Sequence, residues 1–99
     1  MSINNIGPQP VIIEVYILHH FTINGQLVSS SVHTTYERAL KHAVNTAVAF
    51  MPNLVMSPPE FQELQKLSRN PETYGKFLER YSYATDGERF DIRQANLEY

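Results

Sequence analysis

The sequence has no cysteine and only four glycines. Without cysteine there are no disulfides, no thiolate catalysis and no zinc sites built on cysteine. The lack of cysteine is compatible with a reducing cytosol, where we expect the protein to work. Two of the four glycines lie in predicted tight turns, so the sequence has no glycine-rich loop for binding phosphate and no other cofactor motif.

The sequence also lacks a large excess of charge of one sign and a long apolar run. The 8 basic and 10 acidic residues give a formal net charge of −2. This balance argues against direct binding to nucleic acid, which needs a basic face. The longest apolar run, residues 11–18, contains Glu14 and is far shorter than the roughly 20 residues that span a bilayer. Residues 1–10 have no positive charge and no apolar run, so we expect neither a signal peptide nor a membrane contact.

The sequence does contain enough apolar residues for one folded domain. Its 99 residues are 42% hydrophobic and 18% charged, which is typical of a single domain with one small core. The polar start, with Gly7, Pro8 and Pro10, indicates a flexible N-terminal arm over residues 1–9. We therefore predict one domain over residues 10–99.

A β-hairpin is predicted first. Residues 11–23 are rich in β-branched and aromatic side chains, which predicts a long strand. Asn24-Gly25 follows, the sequence typical of a two-residue type I′ turn. In the register that this turn sets, Tyr16 lies opposite His33. A shift of one residue would move every side chain of a strand to the other face.

The two sides of this predicted hairpin differ in composition. One side is largely apolar and is the expected core face, with Val11, Ile13, Val15, Ile17, His19, Phe21, Val28, Ser30, Val32 and Thr34. The other side is mixed, as expected for a sheet face in contact with water or with a partner. Its residues are Glu14, Tyr16, Leu18, His20, Leu27, Ser29, Ser31 and His33.

Three segments with helical spacing of their apolar residues follow the hairpin. The first begins at the pair Thr34 and Glu37, which has capping-box spacing, and ends at Pro52. The second begins at another such pair, Ser57 and Glu60. The third begins after an asparagine cap followed by proline. The sequence therefore predicts three helices.

A second hairpin is predicted at Asp86-Gly87, with Tyr83 opposite Phe90. The apolar phase changes after Ile92, so we expect a bulge or the end of the strand there. The element order is then ββαααββ. Burying every apolar face predicts an α+β fold, an antiparallel sheet of two hairpins with the helices on one face. The sequence leaves open whether the two hairpins form one sheet.

The histidines are the first candidates for a metal site. His19 and His20 are neighbours on a strand and point to opposite faces, so they cannot share one ion without distortion. His20 and His33 share a face, but at about 3.3 Å per residue they lie roughly 13 Å apart, too far to be ligands of one ion. We therefore predict no metal site.

Glu14, Tyr16 and His33 are the best-placed polar group for catalysis. Glu14 lies diagonal to His33 and would orient it for general acid–base chemistry. Ordinary cross-strand pairing explains the same residues. We favour pairing, because one open sheet face rarely supplies the concave pocket that catalysis needs. The serines of residues 29–31 are poor nucleophiles, since a serine in the middle of a strand lacks the strained turn that exposes its oxygen.

The mixed face is better suited to contact with another protein, because tyrosine is enriched in interfaces and serine keeps a strand flat. The predicted binding residues are Glu14, Tyr16, His20, Ser29, Ser31 and His33.

In size, acidity and lack of a catalytic site, the chain resembles the small α+β proteins that phages and plasmids encode to block host enzymes, anti-CRISPR proteins among them. The resemblance implies a non-enzymatic inhibitor that covers a working surface of a larger protein in the host cytoplasm. Two alternatives stay open. One is a homo-oligomeric structural or accessory protein, such as a homodimer. The other is a small acid–base enzyme that uses Glu14 and His33.

Overall fold

A computed structural model describes residues 11–98. They form three antiparallel strands and three α-helices in the order ββαααβ, which confirms the predicted α+β class. The elements are β1 (Ile12–Phe21), β2 (Leu27–His33), α1 (Tyr36–Phe50), α2 (Pro58–Leu67), α3 (Tyr74–Ala84) and β3 (Arg89–Glu98). The predicted arm, residues 1–9, lies outside the described residues.

The strands form one sheet with the order β2-β1-β3. The central strand β1 pairs with β3 along its whole length, and with β2 only from Tyr16 to Phe21. The last strand therefore returns to the first, and both outer strands are edges of the sheet. The sheet contains one hairpin and one returning strand, not the two hairpins that the sequence predicts.

The loop of the β1–β2 hairpin is one residue longer than predicted. The Thr22 N–H donates to the Gln26 carbonyl at 2.9 Å, and the Gly25 N–H donates to the Thr22 carbonyl at 2.9 Å. Gly25 has a φ of 78°, whereas Asn24 is not among the residues with positive φ. A type I′ turn needs positive φ at both central residues. The loop is therefore Ile23–Gly25, with Gly25 alone in the left-handed conformation.

A bulge beside this loop restores most of the predicted register. The pairing shifts between His20 and Phe21, so that Phe21 lies opposite Leu27 rather than Val28. Tyr16 lies opposite His33, as predicted. A bulge adds one residue to one strand, and here it offsets the extra residue of the loop.

Asp86-Gly87 ends a helix and does not form a second hairpin. Both residues have positive φ, 60° and 119°, and the Gly87 N–H donates to the Ser82 carbonyl at 2.9 Å. Helix C-termini need the same left-handed backbone that hairpin turns need, so this dipeptide fits either structure. Tyr83 is consequently helical and does not pair with Phe90. The break expected after Ile92 is also absent, because β3 pairs with β1 without a register shift.

The caps of the helices follow the sequence closely. The capping box at Ser57 and Glu60 is present at the start of α2, as predicted. The first helix begins one residue later than predicted, since Thr35 and not Thr34 is its cap. The Thr35 hydroxyl accepts a hydrogen bond from the Arg38 N–H at 3.1 Å.

The core lies where the three helices meet the sheet. Its fully buried side chains come from all three helices and from the turn after α1, and the largest are Val44, Met51, Leu64, Phe77 and Tyr81. Three buried alanines of α1, Ala39, Ala43 and Ala47, allow close packing of this helix. The rings of Phe77 and Tyr81 stack with centroids 5.9 Å apart.

The helices cover the side of the sheet that the sequence predicts to face water or a partner. Tyr36 at the start of α1 contacts the Tyr16 ring, and Phe50 at its end contacts the His20 ring. His20 is 3% exposed, whereas Val32 on the expected core face is 61% exposed. The predicted assignment of the two faces is therefore wrong, although the predicted cross-strand pairs are mostly right.

The third strand explains which side the helices cover. Arg89, Asp91 and Arg93 of β3 lie on the same side of the sheet as Ile17 and its apolar neighbours, because β3 pairs with β1 in one uninterrupted register. Burying three charged side chains beneath a helix costs more than leaving several aliphatic side chains in water. Phe90 and Ile92 lie on the opposite side. The charges of β3 thus outweigh the apolar pattern of β1 and β2.

Candidate functional site

The side of the sheet away from the helices is the largest candidate surface, and we name it the open face. Its residues, by strand, are Ile13, Val15, Ile17, His19 and Phe21 of β1, Leu27, Ser30 and Val32 of β2, and Arg89, Asp91, Arg93, Ala95 and Leu97 of β3. The set is mainly aliphatic. Exposed apolar side chains grouped on one face of a sheet are typical of interaction sites.

The aliphatic part of the open face is well exposed at several points. Leu27 and Val32 are 54% and 61% exposed, and the directly paired Ile13 and Leu97 are each 40% exposed. Val15 is the exception, at 4%. Exposed apolar side chains therefore occur on all three strands, from one end of the sheet to the other.

The charges of the open face are confined to β3. The Arg89 guanidinium lies 4.4 Å from the centre of the Phe21 ring, a cation–π contact. The Arg93 Nε donates to the Asp91 carboxylate at 2.8 Å. These three charged residues sum to one net positive charge. The open face thus combines an apolar area on β1 and β2 with a weakly basic border on β3.

Of the predicted binding residues, His20 is ruled out as a contact by its burial. Its ring stacks on Phe90 with centroids 4.3 Å apart, and its Nε2 lies 2.9 Å from a Glu88 carboxylate oxygen. The same oxygen accepts a hydrogen bond from the Tyr81 hydroxyl at 3.1 Å. Burial raises the pKa of Tyr81, and the neighbouring Glu88 raises it further. His20, Tyr81 and Glu88 therefore form a polar cluster beneath the helices.

This cluster is a structural feature that the sequence does not reveal. Glu88 is 68 residues from His20 in the chain, and no local spacing connects them. The Glu88 side chain borders a cavity of about 250 Å³ that is also lined by Thr22 and Leu54. His20 Nδ1 is buried and has no hydrogen-bond partner among the described residues. The cluster can hold a carboxylate in place between two donors, which favours one arrangement of the core.

Glu14, Tyr16 and His33 lie near one another at the other end of the sheet, but the hydrogen bonds there do not join Glu14 to His33. The Tyr16 hydroxyl donates to the Glu14 carboxylate at 3.0 Å, and this bond raises the pKa of Tyr16. His33 Nε2 instead lies 2.7 Å from the Ser31 hydroxyl. Burial lowers the pKa of His33, and His42, whose ring centre is 4.9 Å away, lowers it further. Glu14 therefore orients Tyr16 rather than His33.

The contact between Ser31 and His33 has the geometry of a nucleophile and its base. A second such contact, His19 Nδ1 to Ser30 at 2.8 Å, lies on the opposite face of the same sheet. Both join neighbouring residues of extended strands. The recess of about 260 Å³ beside Tyr16 is lined by residues at the start of α1 and not by Ser31 or His33. We read both contacts as hydrogen bonds of the sheet.

The remaining predicted contact residues differ in exposure. Ser29 and Glu14 are exposed, whereas Tyr16, Ser31 and His33 are half-buried at the margin where α1 meets the sheet. Their role in binding stays a prediction. Within residues 11–98, no group of three or more histidine, aspartate or glutamate side chains could hold a metal ion. No helix in this part of the chain is long and apolar enough to span a membrane.

Comparisons with protein-family models, with curated proteins and with solved structures give no match. The function of the chain must therefore be inferred from its own residues.

Proposed function

We propose that this protein is a non-enzymatic binding module that inhibits a larger protein by covering one of its surfaces. The observation that carries the proposal is the open face, which exposes aliphatic side chains on all three strands. Water contact with such a surface is unfavourable by about 25 cal/mol per Å² of apolar area, and a partner removes that contact. A sheet face supported by a packed core is also a rigid docking surface.

The partner that fits this surface is a protein with an apolar area bordered by carboxylates. The apolar area would lie on β1 and β2, over Ile17 and Val32. The carboxylates would lie near Arg89 and Arg93, the two cations at the border on β3. Complementary charges at the rim mainly set the rate and specificity of association, and apolar burial supplies most of the affinity.

The proposal also concerns where the protein acts and which class of inhibitor it belongs to. A small acidic domain of this kind resembles the inhibitors that phages and plasmids direct against host enzymes, which act in the host cytoplasm. The proposal moves the main contact surface away from the face predicted from sequence, because His20 is buried there. Glu14 and Ser29 remain exposed on that side and are candidates for secondary contacts.

A capture experiment with matched variants tests the proposal. The protein is immobilised and exposed to lysate of its source or host cell, and bound proteins are identified by mass spectrometry. The open-face variant is Ile13→Glu/Leu97→Lys. These residues pair directly, so the introduced charges attract each other and the fold is retained. We expect one stoichiometric partner that is lost with this variant.

The control is Tyr16→Ala/His33→Ala, which removes two residues of the site predicted from sequence. We expect this variant to keep the partner. Loss with the control but not with the open-face variant would return the site to the helix-covered side. Capture of no partner by the folded wild-type protein would contradict the binding function.

A further inference from the structure

We propose that two copies of this protein form a two-fold symmetric dimer in which their β2 strands pair antiparallel about Ser30. The pairing joins two three-stranded sheets into one sheet of six strands. The inference concerns the edge of the sheet and not its open face, so it does not depend on the proposed function.

The two edges of the sheet differ in how well they resist pairing. Edge strands in proteins are commonly protected from pairing by charged side chains, by proline or by coverage. The β3 edge carries the charged residues Arg89, Asp91, Arg93 and Glu98. The β2 edge, Leu27–His33, has neither aspartate, glutamate, lysine, arginine nor proline. Among the described residues, no strand pairs with its outer side. A bulge, which also protects an edge, occurs in β2 only between Leu27 and Ser29. The regular part of β2, Ser29–His33, is therefore the edge that is open to another strand.

The sequence of β2 fits a copy of itself. Residues 28–32 read Val-Ser-Ser-Ser-Val, the same in both directions. In a two-fold antiparallel pair, if one residue contacts a second, the second contacts the first across the axis. With the axis at Ser30, the Ser30 side chains of the two copies face each other. Val28 then faces Val32 twice, and Ser29 faces Ser31 twice.

The exposed side chains of β2 match this arrangement. Val28 and Val32 are 51% and 61% exposed. Val32 lies on the open face, and Val28 lies at the bulge without a partner on β1. In the dimer, two Val–Val pairs would form beside the central serines, and cross-strand pairs of β-branched residues stabilise a sheet. Ser29 is also exposed, so small side chains flank the axis on the helix-covered side. No pair about this axis brings two like charges together.

The same pairing would extend the open face. Val32 lies beside Ile17 in the sheet, and across the axis it would lie beside Val28 of the second copy. The apolar area of one copy would thus continue into that of the other. An edge of seven residues forms a small interface. We therefore expect an equilibrium between monomer and dimer that depends on concentration, and not a permanent dimer.

Charge variants at the axis test the proposal. Ser30→Lys and Ser30→Glu each place two like charges opposite each other in the dimer. Sedimentation equilibrium over a range of concentrations is used to measure the dissociation constant. We expect a monomer–dimer equilibrium for the wild type and a dissociation constant at least about tenfold higher for each variant alone. An equimolar mixture of the two variants should form a heterodimer, because a cation then faces a carboxylate.

The controls are Gln62→Lys and Gln62→Glu, at an exposed position of α2, which should leave the equilibrium unchanged. Thermal unfolding by circular dichroism checks that all variants are folded. Hydrogen exchange of the wild type needs no variant, and alternate amides of residues 28–32 should become more protected as concentration rises. A wild type that stays monomeric at about 1 mM would overturn the proposal. So would a dimer that neither Ser30 variant weakens, or a mixture that stays monomeric.

Discussion

The two faces of the sheet differ in the opposite way from what is usual. The more aliphatic face is exposed, and the more polar face is covered by the helices. The open face carries most of the aliphatic side chains of the hairpin, and all of them except the buried Val15 are at least partly exposed. The helix-covered face carries His20, Ser31, His33 and Tyr16, yet it lies against α1. The difference teaches that burial is decided for a whole sheet at once. One strand with three charges on one side can determine the outcome for its neighbours.

The helix-covered face is possible because its buried polar side chains contact one another, although His20 Nδ1 has no partner among the described residues. His20 contacts Glu88, and Tyr81 donates to the same carboxylate. A buried hydrogen bond contributes about 0.5–1.5 kcal/mol, and a buried donor without a partner costs about 1–3 kcal/mol. A histidine in the core is therefore acceptable when a carboxylate comes to it from elsewhere in the chain.

We expect the largest difference in the free energy of unfolding between a variant in the core, under the helix-covered face, and a variant on the open face. Phe77→Ala should lower the free energy of unfolding by about 3–5 kcal/mol, because Phe77 is fully buried and its removal leaves a cavity. Val32→Ala should change it by no more than about 0.5 kcal/mol, since the side chain is already exposed. Urea denaturation checks both values. Equal losses in the two variants would mean that the open face is buried in solution.

The adjacent histidines give a sharper test of the same contrast. His20→Ala removes the contact with Glu88 and the stack on Phe90, and it should cost about 2–3 kcal/mol. His19→Ala removes an exposed hydrogen bond to Ser30 and should cost less than about 1 kcal/mol. The two variants differ by one position, and chemical denaturation is used to compare them. If His19→Ala is the costlier, the helices cover the other face of the sheet.

The smallest effect is expected at the margin of the covered face, from the titration of His33. Its pKa is below the usual value of 6.5, through burial and then through His42. The unfolded chain therefore binds a proton more readily, so the stabilising contribution is complete above pH 6.5 and is lost as the pH falls through the lowered pKa. His33 is largely screened by solvent, so the loss should stay below about 0.5 kcal/mol.

NMR titration of the histidine ring protons measures the pKa of His33 directly. His42→Gln should raise this pKa by removing the neighbouring imidazole, and His33→Gln should flatten the dependence of the melting temperature on pH. A pKa of His33 above 6.5 in the folded protein would contradict the partial burial of its ring beside His42.

Much of the local structure can be predicted from the sequence. The three helices, the capping box at Ser57 and the pairing of Tyr16 with His33 all follow from local patterns. The errors have a common cause. Asp86-Gly87 supplies positive φ, which suits a helix end as well as a hairpin, and only the packing of α3 decides between them. The alternation of apolar and polar residues along β1 and β2 likewise shows that the two faces of the sheet differ. It does not show which face the helices cover.

The signal for the covered face is present in β3, where charged and apolar residues alternate from Arg89 to Arg93. It becomes informative only when the register between β3 and β1 is known, and that pairing joins residues about as far apart as the chain allows. The hydrogen-bond partners of the predicted site residues likewise depend on contacts between distant segments. Glu88 reaches His20 through the tertiary fold alone.

The sequence by itself therefore determines the three helices, the capping box at Ser57 and most of the hairpin register, because these depend on backbone preferences and contacts between near neighbours. The tertiary structure alone decides which face is covered, which strands are edges and which carboxylate meets the buried histidine. These features depend on contacts between distant segments, where the cost of burying a charge is weighed against the gain from burying apolar surface.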